Sequence, residues 1–383
     1  MRRIPRSSSL VCISMVFVAS VASAQGTLST QGFGYPPGQL SARALATGGG
    51  LAEFDPDSPL NPAAIALSSD PRLFLQYEPE FRKLSTAGGA SSTTTARFPV
   101  VSASVPLGGH GSFGISASTF LDRSSSTTFT RDQEVGGTVS TITETTKVLG
   151  AINDLRLAFG WAASQKFQIG VGAHVYTGQN RVFFAQTFPD SLKFSPVAQV
   201  STLGFSGFAV SAGVLVRPSR TFGLALSGRK GGGIEARMAD STVSKADVPN
   251  RFAASIAYEG IPGSSIAAHV ARETWSSLNG LGSSAAEAVD TWESGLGVEA
   301  LGPRLIGRQT LLRIGARYRT LPYLAAGSEV RELSFAGGVG AQFFRNRATF
   351  DLTLERSGRS LNASEVDARE RAYILSFGLR VRP

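Results

Sequence analysis

The chain of 383 residues holds a single cysteine, Cys12, which excludes a disulfide framework and any multi-cysteine metal centre. Charge is scarce too, at 17 % of residues against roughly 25 % in average soluble chains. The three histidines, His110, His174 and His269, are scattered without His-Glu-x-x-His spacing, and neither a Gly-x-Ser-x-Gly nor a Walker-type loop occurs. The sequence therefore reads as a non-enzyme with no cofactor and no metal. After residue 25 no run of 18 apolar residues remains, so helices do not span a membrane. A mean hydropathy of +0.05 excludes a disordered chain and is too low for a polytopic helical membrane protein.

Glycine, by contrast, is abundant: 43 residues, where average usage is roughly 7 %. At the N-terminus Arg2, Arg3 and Arg6 precede an apolar stretch, Leu10 to Ala19, and the small-residue site Ala22-Ser23-Ala24. This pattern predicts a secretory signal over 1–24, cleaved after Ala24. The loss takes Cys12 and three of the positive charges behind a formal net charge of +9. The remaining charge is spread along an exported chain, which argues against a nucleic-acid partner.

Beyond the signal the dominant period is two. Phe167, Ile169, Val171, Ala173 and Val175 share one face, while Gln168, Gly170, Gly172, His174 and Tyr176 share the other. The same alternation runs through Phe208 to Val216, Phe222 to Leu226, Leu312 to Tyr318, Phe350 to Leu354 and Tyr373 to Val381. A soluble sandwich would alternate likewise, but loop lengths favour an outer-membrane β-barrel, whose short periplasmic turns and long outer loops alternate strictly. Strands are predicted near 72–83, 95–106, 111–122, 138–162, 166–178, 203–217, 220–230, 249–259, 264–275, 290–301, 309–320, 330–343, 347–357 and 370–382. Leu107-Gly108-Gly109-His110, Ala163-Ser164-Gln165, Pro218-Ser219 and Gly260-Ile261-Pro262-Gly263 make tight turns, whereas 124–137, 178–202 and 231–248 are read as long polar loops. The run Gly228-Arg229-Lys230-Gly231-Gly232-Gly233 lacks the strand-loop-helix setting of a phosphate cradle and reads as surface loop.

The expected fold is all-β: a transmembrane antiparallel β-barrel of 14 strands. Trp161, Tyr258, Trp275, Trp292, Tyr318, Tyr323, Phe343 and Phe344 lie near predicted strand ends, as interface girdles require. Arg272 falls on the apolar face beside Val270, which calls for either a side chain reaching the rim or a slipped register. Gly170, Gly172, Gly213, Gly223, Gly295, Gly297, Gly338, Gly340 and Gly378 fall on the inward face, leaving room for a plug or solvent.

Residues 25–70 are too irregular for a strand and precede a barrel spanning 71–383. Here Gly48-Gly49-Gly50, a small acidic turn at Asp55 and Asp57, and Asn61-Pro62-Ala63 with an apolar tail occur in order. This layout resembles the N-terminal region of the FadL-type and PorV-like outer-membrane proteins, and Ala246 to Phe252 before a strand is similar to that group as well. The resemblance implies an N-terminal hatch or plug in the lumen. It also implies a kinked strand through which apolar ligands leave sideways into lipid, and a place in the outer membrane of a Gram-negative-type bacterium. Two carboxylates, Asp55 and Asp57, fall short of a calcium shell and read as a capped turn.

The leading functional reading is a passive channel for hydrophobic or amphipathic, fatty-acid-like small molecules, with outer-membrane lipid around it. The hatch and ligand path would involve Phe54, Leu60, Asn61 and Pro62, with inward Arg156, His174, Arg313 and Arg317 as carboxylate partners. Against this, those cations could simply pair with Asp154, Glu293, Glu299, Asp351 and Glu355. The alternative is a PorV-like barrel that meets a protein partner through its outer loops, in secretion or surface attachment. A continuous apolar path from the loops to the hatch would favour hydrophobic transport, and a plugged polar interior would count against it.

Overall fold

The computed structural model describes residues 33–86, 89–135, 138–189, 195–281, 287–305, 307–325, 327–344, 347–361 and 368–383. The predicted signal 1–24, with Cys12, lies outside them. Seventeen β segments close into one antiparallel sheet in which the last pairs with the first. They are β1 Arg72–Thr86, β2 Gly89–Arg97, β3 Val100–Pro106, β4 Gly111–Asp122, β5 Ser125–Val135 and β6 Thr138–Ser164. Next come β7 Phe167–Thr187, β8 Val197–Val216, β9 Phe222–Met238, β10 Ser241–Asp247, β11 Arg251–Tyr258 and β12 Ser264–Glu273. The wall ends with β13 Thr291–Leu305, β14 Arg308–Ala325, β15 Ser328–Phe343, β16 Ala348–Leu361 and β17 Arg369–Val381. Since β2 continues into β3, β4 into β5 and β10 into β11, the barrel has 14 strands, as the alternation predicts.

The alternation sorts the faces as lipid demands. On β7 the odd-numbered residues from Phe167 to Val175 point outward while Gln168, His174 and Tyr176 are buried. Outward Ile314 is 67 % exposed and its neighbour Arg313 only 5 %. Trp161, Tyr258, Trp292, Phe343 and Phe344 do lie outward near strand ends, and Tyr318 lies outward but within β14, which runs on to Ala325. Trp275 and Tyr323 do not: both are buried in an apolar cluster inside the loop-side end of the barrel. A strand-end aromatic keeps its place in the sequence whichever way it points, and β12 ends at Glu273, so Trp275 leaves the strand and folds inward. Arg272 settles the question of its own register. It points outward, 3.3 Å from Asp290 and with its guanidinium 5.3 Å from the Trp292 ring centre, so the side chain reaches the rim.

The segments read as long loops are largely strand. β5 and β6 pair from Ser125 with Val148 to Val135 with Thr138, β7 and β8 pair up to Gln186 with Val197, and β9 meets β10. Gly228 to Gly233 likewise lies within β9. Above the membrane both faces meet water, so apolar alternation disappears. The β-branched content still favours strand, as where Thr128 and Thr145 join hydroxyls at 3.1 Å.

The wall is not uniformly laddered. β1 pairs with β2 from Glu78–Arg97 upward and with β3 from Leu75–Val101 downward, so the register slips at Phe98-Pro99. On the next strand a bulge between Thr119 and Leu121 turns both Phe120 and Leu121 into the interior. Above this point β2 pairs with β1 and β5 pairs with β6, and no ladder joins β2 to β5 among the described residues. The free edge of β4 is taken by the N-terminal segment instead: Tyr35 and Asp122 exchange backbone hydrogen bonds of 2.7 and 2.9 Å.

Candidate functional site

Residues 33–70 run through the interior and are built from short capped pieces. Helix α1, Ala42–Ala46, starts where the Ser41 hydroxyl accepts from the Ala44 amide at 3.1 Å. A 3-10 turn, Pro62–Leu67, starts at Asn61, whose Oδ1 accepts from Ala63 N at 2.9 Å while its Nδ2 donates to the Glu53 carbonyl at 3.1 Å. Pro62 fills the first position, where a missing N–H costs nothing. Replacing Asn61 with Ala removes both bonds and should cost about 1–2 kcal/mol. Thermal unfolding in detergent micelles would show it, and an unchanged midpoint would contradict the capping role.

Asp55 and Asp57 organise this segment rather than an ion. Asp55 accepts from Ser41 and Ser58, while Asp57 pairs with Arg380 and lies 3.5 Å from Arg72. Glu53, beside Phe54, pairs with Arg251 at 2.8 Å. Burial alone would raise the Glu53 carboxyl, but Arg251 and His269 outweigh it and hold it below the ordinary range. A depressed folded pKa adds stability that is full above 4.5 and is lost as pH falls through the folded value. Acidification below 4.5 should therefore loosen the segment, and Glu53→Gln should remove part of that pH dependence in bilayer conductance. Identical acid profiles for both proteins would rule out Glu53 as a contributor.

The inward glycines explain how the segment fits. The Thr47-Gly48 backbone lies against Gly295, Gly297 and Gly315, and any Cβ there would overlap it. Asn61 and Pro62 press on Gly213 and Gly170, Ile65 on Gly160 and Phe54 on Gly223. A Cβ at Gly338 would fall 2.7 Å from that of Ala46, and one at Gly378 3.1 Å from that of Ala42. Gly172 and Gly340 make room for barrel side chains instead, Ser211 and Arg313. Leu60 packs beside the cluster of Leu40, Ala44, Leu45 and Ala52.

The inward cations are mostly paired. Arg313 bonds Glu299 at 2.5 Å and Asp351 at 2.6 Å, and Arg317 lies 3.1 Å from Glu355. Glu293 lies 3.4 Å from His269. His174 bonds Asp154 at 2.8 Å and Ser211 at 2.8 Å. That series has the order of a hydrolytic triad. Gln39 and Tyr176 occupy the other side of Asp154, so it fastens the segment to the wall. Arg156 differs: it is buried opposite Ser116 and His174, and its Nε and Nη1 have no partner.

Sequence reasoning passed over the largest charge cluster. Tyr35 sits among four guanidiniums, those of Arg82, Arg97, Arg319 and Arg359, at 5.1, 5.4, 5.1 and 4.5 Å from its ring centre. Glu80, Glu332 and Glu370 hold Arg359 at 3.0, 2.5 and 2.5 Å. The signal was present in β1, where Glu78, Glu80 and Arg82 alternate with outward Tyr77 and Phe81. Toward the loops the interior becomes apolar: Phe33, Phe120, Tyr176, Trp275 and Tyr323 pack together, with Phe120 stacked on Trp275 at 4.9 Å. The apolar surface is thus not continuous along the barrel axis. It stops at the Tyr35 cluster and borders the unladdered seam through Phe120 and Leu121.

No protein-family model and no curated protein matches the sequence. Solved structures do. A FadL homologue from Pseudomonas aeruginosa is similar over 91 % of this chain and 99 % of its own, with TM-score 0.63 and 13 % identity. The toluene transporter TodX of Pseudomonas putida is similar over 90 % and 98 %, with TM-score 0.58 and 12 % identity. The monoaromatic hydrocarbon channel CymD matches over 90 % and 97 %, with TM-score 0.55 and 12 % identity. At such identities the likeness is one of fold, and it is the fold that the alternation and the N-terminal residues led us to expect.

Proposed function

We propose that this protein is an outer-membrane channel through which hydrophobic and amphipathic small molecules diffuse passively, with residues 25–70 as its hatch. The export signal is then 1–24 and the barrel 71–383. One observation carries the reading. The wall slips in register at Phe98-Pro99, with no ladder between β2 and β5 above it among the described residues, beside a packed apolar cluster, and the edge of β4 there is covered by the backbone of Tyr35 rather than by a neighbouring strand. A molecule that reaches this cluster from the loop side would leave into lipid at the slip, beside outward Phe98, once the segment shifts and the cluster opens, which avoids the charged mid-lumen. The similar structures, a toluene transporter and a monoaromatic hydrocarbon channel, agree with such cargo.

The test is a reversible staple. Cysteines at Ala42 and Gly378 would place their Cβ atoms about as close as a disulfide needs. Cells carrying the oxidised double variant should take up labelled toluene or fatty acid at least tenfold more slowly than wild type, with recovery after reduction. Undiminished uptake by the oxidised form would exclude movement of this part of the segment from the transport step.

A further inference from the structure

At the short-turn end the interior opens into a cavity of 280 Å³ that none of the contacts above fills. Its floor is apolar: Leu51, Phe54, Pro56 and Leu67 come from the lumen segment and Ala257 from β11. Its rim is built from guanidiniums, namely Arg43, Arg72, Arg217, Arg380 and Arg382, with Glu259 and Glu299 as the lining carboxylates. Four of the five are paired: Arg43 to Glu299 at 2.6 Å, Arg72 through Nη1 to Asp57 at 3.5 Å, Arg380 to Asp57, and Arg382 to Asp70 at 3.8 Å. Arg72 and Arg217 still hold donors that no group of the described residues accepts from. The Arg72 side chain is only 10 % exposed, and its Nε has no hydrogen-bond partner. Arg217, half-buried just after β8, has no side-chain hydrogen bond or ion pair among the described residues. The hydroxyl of Ser265 on the same wall is also buried without a partner.

A buried guanidinium N–H without an acceptor is costly, and a carboxylate meets it with short charge-assisted hydrogen bonds. An apolar floor beneath such donors suits one end of a molecule that is charged and another that is not. We infer that this cavity is a binding site for a small carboxylate with an apolar body, held by Arg217 and Arg72 at its acid end and by Phe54 and Leu67 at the other. The inference rests on the channel reading in one respect: the site lies where cargo would meet the periplasm, and it gives acids a foothold that hydrocarbons lack.

Calorimetry on the full-length protein in phosphatidylcholine nanodiscs, with benzoate, toluene and inorganic phosphate as probes, tests it. Benzoate should bind, phosphate should bind at least tenfold more weakly for want of floor contacts, and toluene binding should not depend on Arg217. Arg217→Gln should weaken benzoate at least tenfold and Arg217→Lys much less. Ser265→Asp, which sets a negative charge in the wall, should weaken benzoate as Arg217→Gln does, independently of any effect on the turn after β8. Equal benzoate affinity in Arg217→Gln and wild type overturns the site, and phosphate binding as tight as benzoate reduces it to an adventitious ion only. Toluene uptake by cells separates the two readings. Benzoate binding without toluene uptake sinks the channel and leaves the site, and the opposite result sinks the site alone.

Discussion

Deletion of residues 41–67 should convert a sealed barrel into a water-filled pore. The removed stretch contains helix α1, the 3-10 turns Ala52–Phe54 and Pro62–Leu67 and the Asn61 cap, and it covers inward glycines of β7, β8, β13, β14 and β17. The wall closes on itself through β1 and β17 without its help, so insertion should survive, visible as heat-modifiable migration on gels. A 14-stranded lumen is too wide for wall side chains alone to fill. Single-channel recordings should then show steady conductance where wild type shows almost none, and cells should become permeable to polar antibiotics. A variant that inserts but stays electrically silent would mean that the segment does not seal the barrel.

Arg359→Leu should be the most damaging single substitution in the interior. Arg359 is fully buried, binds Glu80, Glu332 and Glu370 at once, and stands closest of the four guanidiniums to the Tyr35 ring. Its loss leaves three carboxylates without their shared cation in a site that excludes water. Breaking a buried pair from one side costs about 3–5 kcal/mol, and losing a desolvated cation–π contact adds about 2 more. Chemical unfolding in micelles should register a loss of that size. Arg359→Lys should fall between, because an ammonium keeps the charge but cannot span three acceptors. A loss below about 1 kcal/mol would mean that solvent reaches the cluster, since exposed pairs contribute no more than that.

How much of this was legible depended on what each residue faces. Within the bilayer one side of every strand meets hydrocarbon, so the order of Phe167 to Tyr176 already fixes both strand and orientation. Beyond the bilayer that constraint vanishes, and β5 with the turn after it reads as loop, although its threonines favour strand and its partner β6 reads as strand. Trp275 shows a parity problem: its position near a strand end was readable, its direction was not. The inward glycines were visible as a set, but their individual partners, such as Thr47 against Gly297, depend on contacts between distant parts of the chain. The same holds for Glu80 and Arg359, 279 residues apart. Phe98-Pro99 is the one clue to the seam that a sequence carries plainly, because proline cannot donate to a ladder.

The glycine-lined seat of the lumen segment has a consequence for inheritance. Where backbone rests on backbone there is no side chain to trim or regrow, so the wall around Gly295, Gly297 and Gly315 and the turn at Thr47-Gly48 accept change only together. A segment grafted from another barrel of the same architecture should fail to seat unless the facing strands travel with it. The two parts, though far apart in sequence, behave as one heritable unit.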